Sequence, residues 1–141
     1  MSHSFQIRIF YEDTDMAGIV YYANYLKYIE RARSDIVEQM GVDQRAMREE
    51  DVVFVITRVE ADYLGVARFG DRLEVRTEHY ARGAARWMFD QEVSRDGKVI
   101  FRAKVTAVCM TTAGKPTRLP AKLRSQLVDA APPAQSAGHR P

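Results

Sequence analysis

Three acids, Glu12, Asp13 and Asp15, crowd into four residues between a strand-like opening and an aromatic stretch ending at Tyr25. Met16, Ala17 and Gly18 follow as a flexible step. A carboxylate on a loop just ahead of a helix sets a base or nucleophile beside the unsatisfied N–H groups of the first turn, a pairing suited to hydrolysis of an activated acyl group. In extended chain Asp13 and Asp15 point the same way. The plainer reading is a pair of turn acids bonded to nearby N–H groups. Asp13, Asp15 and Gly18 also match positions one, three and six of a calcium loop, but Ala17 and Asn24 fall where oxygen ligands are required. No metal is expected.

Other chemistries lack their parts. Of the three histidines, His3 and His139 lie near the chain ends and are expected to be mobile, and His79 is a weak candidate for a base at a strand end. Cys109 sits in an apolar run and reads as a buried structural thiol. There is no Gly-x-Ser-x-Gly, no Gly-rich phosphate loop and no Cys-x-x-Cys. A hydrolase built on this chain would use a carboxylate.

The elements that must carry the acids follow from periodicity. Residues 4–10 alternate as a short strand. From Tyr22 to Met40 apolar residues recur at three-and-four spacing, a helix of about four to five turns with Asn24 as candidate N-cap and Gly41 just past its end. A short helix is expected over 44–49. Strands are expected over 53–63, 72–80, 86–95 and 98–110. In the first of these Val55, Thr57, Val59 and Ala61 share one face, and Phe54 and Ile56 the other. Arg82-Gly83 marks a turn and Asp96-Gly97 a type I′ hairpin turn. A last short helix is expected over 121–128. One long helix must then bury its stripe on one face of a mainly antiparallel five-stranded sheet, an α+β domain. Apolar residues on both faces of 53–63 leave a second copy as the plausible cover.

At 141 residues the chain is long enough for one domain with a real core, expected over 1–128, and the Ala/Pro/Gly/Ser-rich 129–141 reads as a disordered tail. A net charge of +2, with cations and acids interleaved, argues against nucleic acid. One cysteine excludes an intrachain disulfide. With no signal-peptide pattern and no bilayer-spanning apolar run, the expected location is cytoplasmic.

Arg8-Ile9, Thr14-Asp15, Gly18-Ile19-Val20 and Ala23-x-Tyr25, in this strand–loop–helix context, resemble the signature of the 4-hydroxybenzoyl-CoA thioesterase family of hotdog-fold enzymes. Residues 28–33, with Tyr63 through Leu73, look more like its branch of acyl-CoA thioesterases associated with the Tol–Pal envelope system. The resemblance spans about residues 5–125. It implies a hotdog fold, an acyl-CoA substrate with a short aliphatic or aromatic acyl group, no cofactor, and a homodimer or homotetramer whose acyl tunnel lies between subunits. It further implies Asp15 as the catalytic acid, the Tyr22 backbone N–H as the group that polarises the thioester carbonyl, and Gly18, Val20, Tyr25 and Arg82 as substrate-binding residues. Arg68, Arg86 and Arg118 are further candidates for the coenzyme phosphates. Asp15 would either attack the carbonyl to form an anhydride or activate a water. A carboxylate, ordinarily ionised at neutral pH, is a ready nucleophile and a weak base, which favours the first.

The sequence departs from the branch at Tyr22, often histidine there, and at Ala84-Ala85, often Thr-Ser. The first leaves the backbone role intact and weakens inference of the substrate from relatives. An acyl carrier protein in place of coenzyme A, a non-catalytic acyl-binding role, or an envelope-system partner are the alternatives on the same fold.

Overall fold

The computed structural model describes residues 1–127. Val128, the tail over 129–141 and His139 lie outside the described residues.

Five strands form one antiparallel sheet in the order β1-β3-β4-β5-β2: β1 Ser2–Arg8, β2 Val53–Tyr63, β3 Arg72–Arg82, β4 Arg86–Arg95 and β5 Lys98–Met110. Helix α1, Asn24–Gln39, packs on one face, with α2 Gln44–Glu49 and α3 Ala121–Arg124 beside it. No helix among the described residues is long and apolar enough to cross a membrane.

The stripe on α1 is Tyr25, Tyr28, Ile29, Ala32, Ile36 and Val37, all buried. It meets Leu73, Val75, Phe89, Phe101, Val105 and Trp87 from the sheet in one apolar core. Each buried Ile, Val, Leu or Phe among them contributes about 1.5–3 kcal/mol when removed from water. Gly41 ends the helix at φ 75°, with Val42 N–H bonded to Val37 C=O (3.3 Å) and Gly41 N–H to Glu38 C=O (3.0 Å). This double bond pattern is what a left-handed residue past the last turn allows.

The helix start differs from expectation. Ala23 occupies the N-cap position with no side-chain bond, and Asn24 is the first helical residue. The Asn24 amide instead donates to Asp13 C=O at 2.9 Å, so it ties the helix to the preceding loop.

Strand β2 also departs from simple alternation. Phe54, Ile56, Val59, Ala61 and Tyr63 lie opposite Cys109, Ala107, Val105, Ala103 and Phe101, the inward residues of β5. The register shifts between Ile56 and Arg58, where Thr57 is the extra residue of a β-bulge. Val59 and Ala61 therefore share the face of Phe54 and Ile56 rather than opposing it. At the sheet edge, Ile56, Val59 and Tyr63 stay more than 40% exposed.

His3 is held, not mobile. It pairs with Thr77 across β1 and β3, and its Nε2 lies 2.7 Å from Asp35 Oδ2 on α1. Strand β1 spans 2–8 instead of 4–10, because a 3-10 turn at Tyr11–Asp13 takes over after Ile9 N–H bonds Asp71 C=O.

Candidate active site

The acidic loop is a small hairpin. Thr14 pairs with Val20, Asp15 N–H bonds Ile19 C=O (3.0 Å), and Gly18 N–H bonds Asp15 C=O (2.9 Å). Gly18 sits at φ 80°, the left-handed step that closes a three-residue hairpin loop. The hairpin is anchored to the segment before β3 by Val20 N–H on Ala67 C=O (2.8 Å) and by pairing of Ile19 with Arg68.

The acids divide by role. Asp13 Oδ2 accepts the Phe10 N–H at 2.7 Å, and its carbonyl accepts Tyr21 N–H at 2.9 Å as well as the Asn24 amide. It is a loop-shaping acid. Asp15 is exposed; its Oδ1 accepts Ala17 N–H at 2.9 Å, and its Oδ2 meets no donor among the described residues. The turn reading thus accounts for one carboxylate oxygen of each acid, and Asp13 is further engaged through its carbonyl and by the neighbouring Tyr28 hydroxyl.

Two residues beyond Val20, the backbone offers a donor. Tyr21 C=O accepts Asn24 N–H at 2.9 Å. Because the peptide is trans, the Tyr22 N–H on its other side points the opposite way, out of the first helical turn. It finds no acceptor among the described residues. It also stands at the positive end of the α1 dipole.

An aromatic cluster backs this corner. Tyr25 is buried and stacks on Phe101 at 5.1 Å, and Tyr63 meets Tyr22, Tyr25 and Phe101 edge-on at 5.0–5.9 Å. Burial raises the pKa of the Tyr25 hydroxyl. Val20 and Tyr25 therefore support the corner from behind, whereas Gly18 and Tyr22 face outward. The sequence assigned no role to Tyr63, whose hydroxyl donates to Tyr22 C=O at 3.2 Å. No local signal marks it, since its facing depends on the bulge at Thr57.

Arg82 is not brought to Asp15. It ends β3, about 30 Å along the strand from the Arg72 end beside the acidic hairpin. There it lines a groove of about 680 Å³ on the outer sheet face with Arg58, Arg86 and Lys104. Of the other cations, Arg68 borders the acidic hairpin.

The remaining titratable candidates are structural. His79 is buried under α1, and its Nδ1 accepts the Trp87 indole N–H at 3.1 Å. Burial first, then the nearby N-terminal ammonium and His3, lower its pKa to about 4. Cys109 is buried, which raises its thiol pKa. No metal-binding group of acids, histidines or cysteine occurs among the described residues.

Residues 11–127 match the thioesterase-like superfamily. The chain belongs to this family. Acyl-CoA thioester hydrolase YbgC of Escherichia coli is 34% identical over 116 residues, which cover 81% of this chain and 87% of that protein. Acyl-CoA thioesterase YbgC of Helicobacter pylori is 48% identical over a shorter stretch of 71 residues, 50% of this chain and 51% of that one. Among solved structures, a probable thioesterase from Bartonella henselae superposes with a TM-score of 0.79 at 30% identity, covering 85% of this chain and all of that one (100%). The 4-hydroxybenzoyl-CoA thioesterase of a Pseudomonas species superposes equally well, TM-score 0.79 at 24% identity over 88% of this chain and 97% of that one, and speaks for the fold alone. The family's fold is the hotdog, a long helix wrapped by an antiparallel sheet, as found here.

Proposed function

We propose that the chain is an acyl-CoA thioester hydrolase in which Asp15 is the reacting carboxylate and the Tyr22 N–H stabilises the oxyanion. The observation that carries the reading is the joint placement of an exposed carboxylate oxygen and an unpaired N–H on one hairpin-to-helix segment. In the covalent route Asp15 Oδ2 bonds to the thioester carbon, and the carbonyl electrons move onto oxygen beside the Tyr22 N–H. Collapse then expels coenzyme A thiolate. Water cleaves the resulting anhydride, releasing the free acid and restoring the carboxylate. In the general-base route Asp15 takes a proton from the attacking water instead. Single turnover in oxygen-18 water identifies the covalent route when water enters at the Asp15 carbonyl of the anhydride, since that course alone leaves label in Asp15.

Assembly belongs to the same reading. The exposed apolar edge of β2 suits antiparallel pairing with a second copy. A two-fold axis there turns one chain's Arg82 end toward the other chain's Asp15 end, so the cations for the coenzyme phosphates come from across the dimer. A tetramer would add a second such pair. The single buried thiol suits a cytoplasmic location.

The test is a panel of acyl-CoAs, short aliphatic through long and aromatic, with wild type and Asp15→Asn. Wild type is expected to turn over short aliphatic or aromatic members, and Asp15→Asn to lose at least about 100-fold in kcat. No turnover on any member, including the same acyl groups on a carrier protein, would leave a non-catalytic acyl-binding protein. Full activity in Asp15→Asn would remove the carboxylate from the mechanism.

A further inference from the structure

We infer that Tyr63 is a positioning residue for the thioester hydrolysis, its hydroxyl holding the backbone that presents the Tyr22 N–H. The inference rests on the reading of Asp15 and Tyr22 as the site.

The donor peptide is held from three directions. Upstream, Tyr21 N–H is tied to Asp13 C=O at 2.9 Å. The carbonyl of the donor peptide itself, Tyr21 C=O, is tied to Asn24 N–H at 2.9 Å. Downstream, Tyr22 C=O accepts the Tyr63 hydroxyl at 3.2 Å, while its bond from Tyr25 N–H is long at 3.4 Å. The first two ties come from within the loop and the helix start. Only the third reaches across to the sheet, from the last residue of β2.

The Tyr63 ring makes that reach rigid. It packs edge-on against Phe101 at 5.0 Å, Tyr25 at 5.8 Å and Tyr22 at 5.9 Å. An aromatic side chain with its ring fixed on three sides delivers its hydroxyl at small entropic cost. An oxyanion donor works only when already aimed where charge develops, so a group that fixes its peptide acts on the barrier rather than on substrate binding. A hydroxyl that bound ground-state substrate would instead appear in KM.

Tyr63→Phe removes the hydroxyl and keeps the ring. On whichever acyl-CoA the wild type hydrolyses, kcat is expected to fall about tenfold with KM changed less than twofold. The melting temperature should stay within a few degrees. In the substrate-free protein, the backbone amide signals of Tyr22 and Ala23 should shift, and hydrogen exchange should quicken at Asn24 and Tyr25, whose N–H groups are bonded to Tyr21 C=O and Tyr22 C=O, a change that needs no catalysis to be seen. Wild-type kcat in Tyr63→Phe overturns the inference. So does a rise in KM alone, or a kcat loss without change at those amides, which would place the hydroxyl on the substrate. Asp15→Asn, run beside it, keeps the two failures apart. If Asp15→Asn is inactive while Tyr63→Phe is normal, the site stands and the positioning role falls. If Asp15→Asn is fully active, the site itself falls and the inference with it.

Discussion

Trp87 donates to His79 Nδ1, so the imidazole is neutral with its proton on Nε2. A second proton would bring N–H against N–H inside the core, beside His3 and the N-terminal ammonium. The folded pKa of about 4 lies below the ordinary 6.5, so the unfolded chain binds the proton first as pH falls. This group's contribution is therefore complete above about pH 6.5 and is lost between there and about pH 4, up to about 3 kcal/mol. His79→Gln keeps an acceptor for Trp87 and removes the titration. Urea unfolding of both proteins at pH 7 and near pH 4.5 should show the wild type losing more stability on acidification. Equal losses would mean that His79 is neither desolvated nor neutral in the fold. At this same scale the proposed reacting pair was legible as a candidate. Asp15 and Tyr22 stand in one short segment, and the chemistry of a loop acid before a helix needs little beyond local order. The family resemblance set Asp15 apart from Asp13, and the bonds from Phe10, Tyr21 and Asn24 to Asp13 supply a physical basis for a loop-shaping role of Asp13.

Helix α1 is fastened to the sheet by a polar tie as well as by its apolar stripe. Gln91 on β4 donates to Ile29 C=O and to Thr77 Oγ1, both at 3.1 Å, and accepts from Arg33 at 3.0 Å. Burial also lowers the Arg33 pKa, so Gln91 is the acceptor that a poorly solvated guanidinium has at hand. Gln91→Leu fits the volume but strands the Thr77 hydroxyl and the Arg33 guanidinium. It should cost about 2–3 kcal/mol in denaturant unfolding. Loss of less than about 0.5 kcal/mol would show that water replaces the amide. The elements were largely legible because their signals are local: the stripe of α1, Gly41 after it, and the Asp96-Gly97 turn, found with both residues at positive φ. What escaped was tertiary. Residues 53–63 read equally well with either facing after Thr57, because Val59 and Ala61 are apolar whichever side they take. His3 looked like a loose terminus until β3 and Asp35 were there to hold it.

Across the whole molecule, the two ends of the sheet carry different equipment. One end has the acidic hairpin, the free N–H and Tyr63; the other has Arg58, Arg82 and Arg86. Strand order and direction put them apart, and periodicity along the chain carries neither. A dimer paired through β2 would bring unlike ends together, and that has a consequence best put in the language of alleles. Asp15→Asn and the double change Arg82→Ala with Arg86→Ala should each disable the protein. Mixed as subunits, they should complement. A heterodimer has one site with both defects and one with none, so equal random mixing is expected to restore ~25% of wild-type activity. Were the carboxylate and the cations to serve one substrate from the same chain, no mixture of the two proteins would recover any.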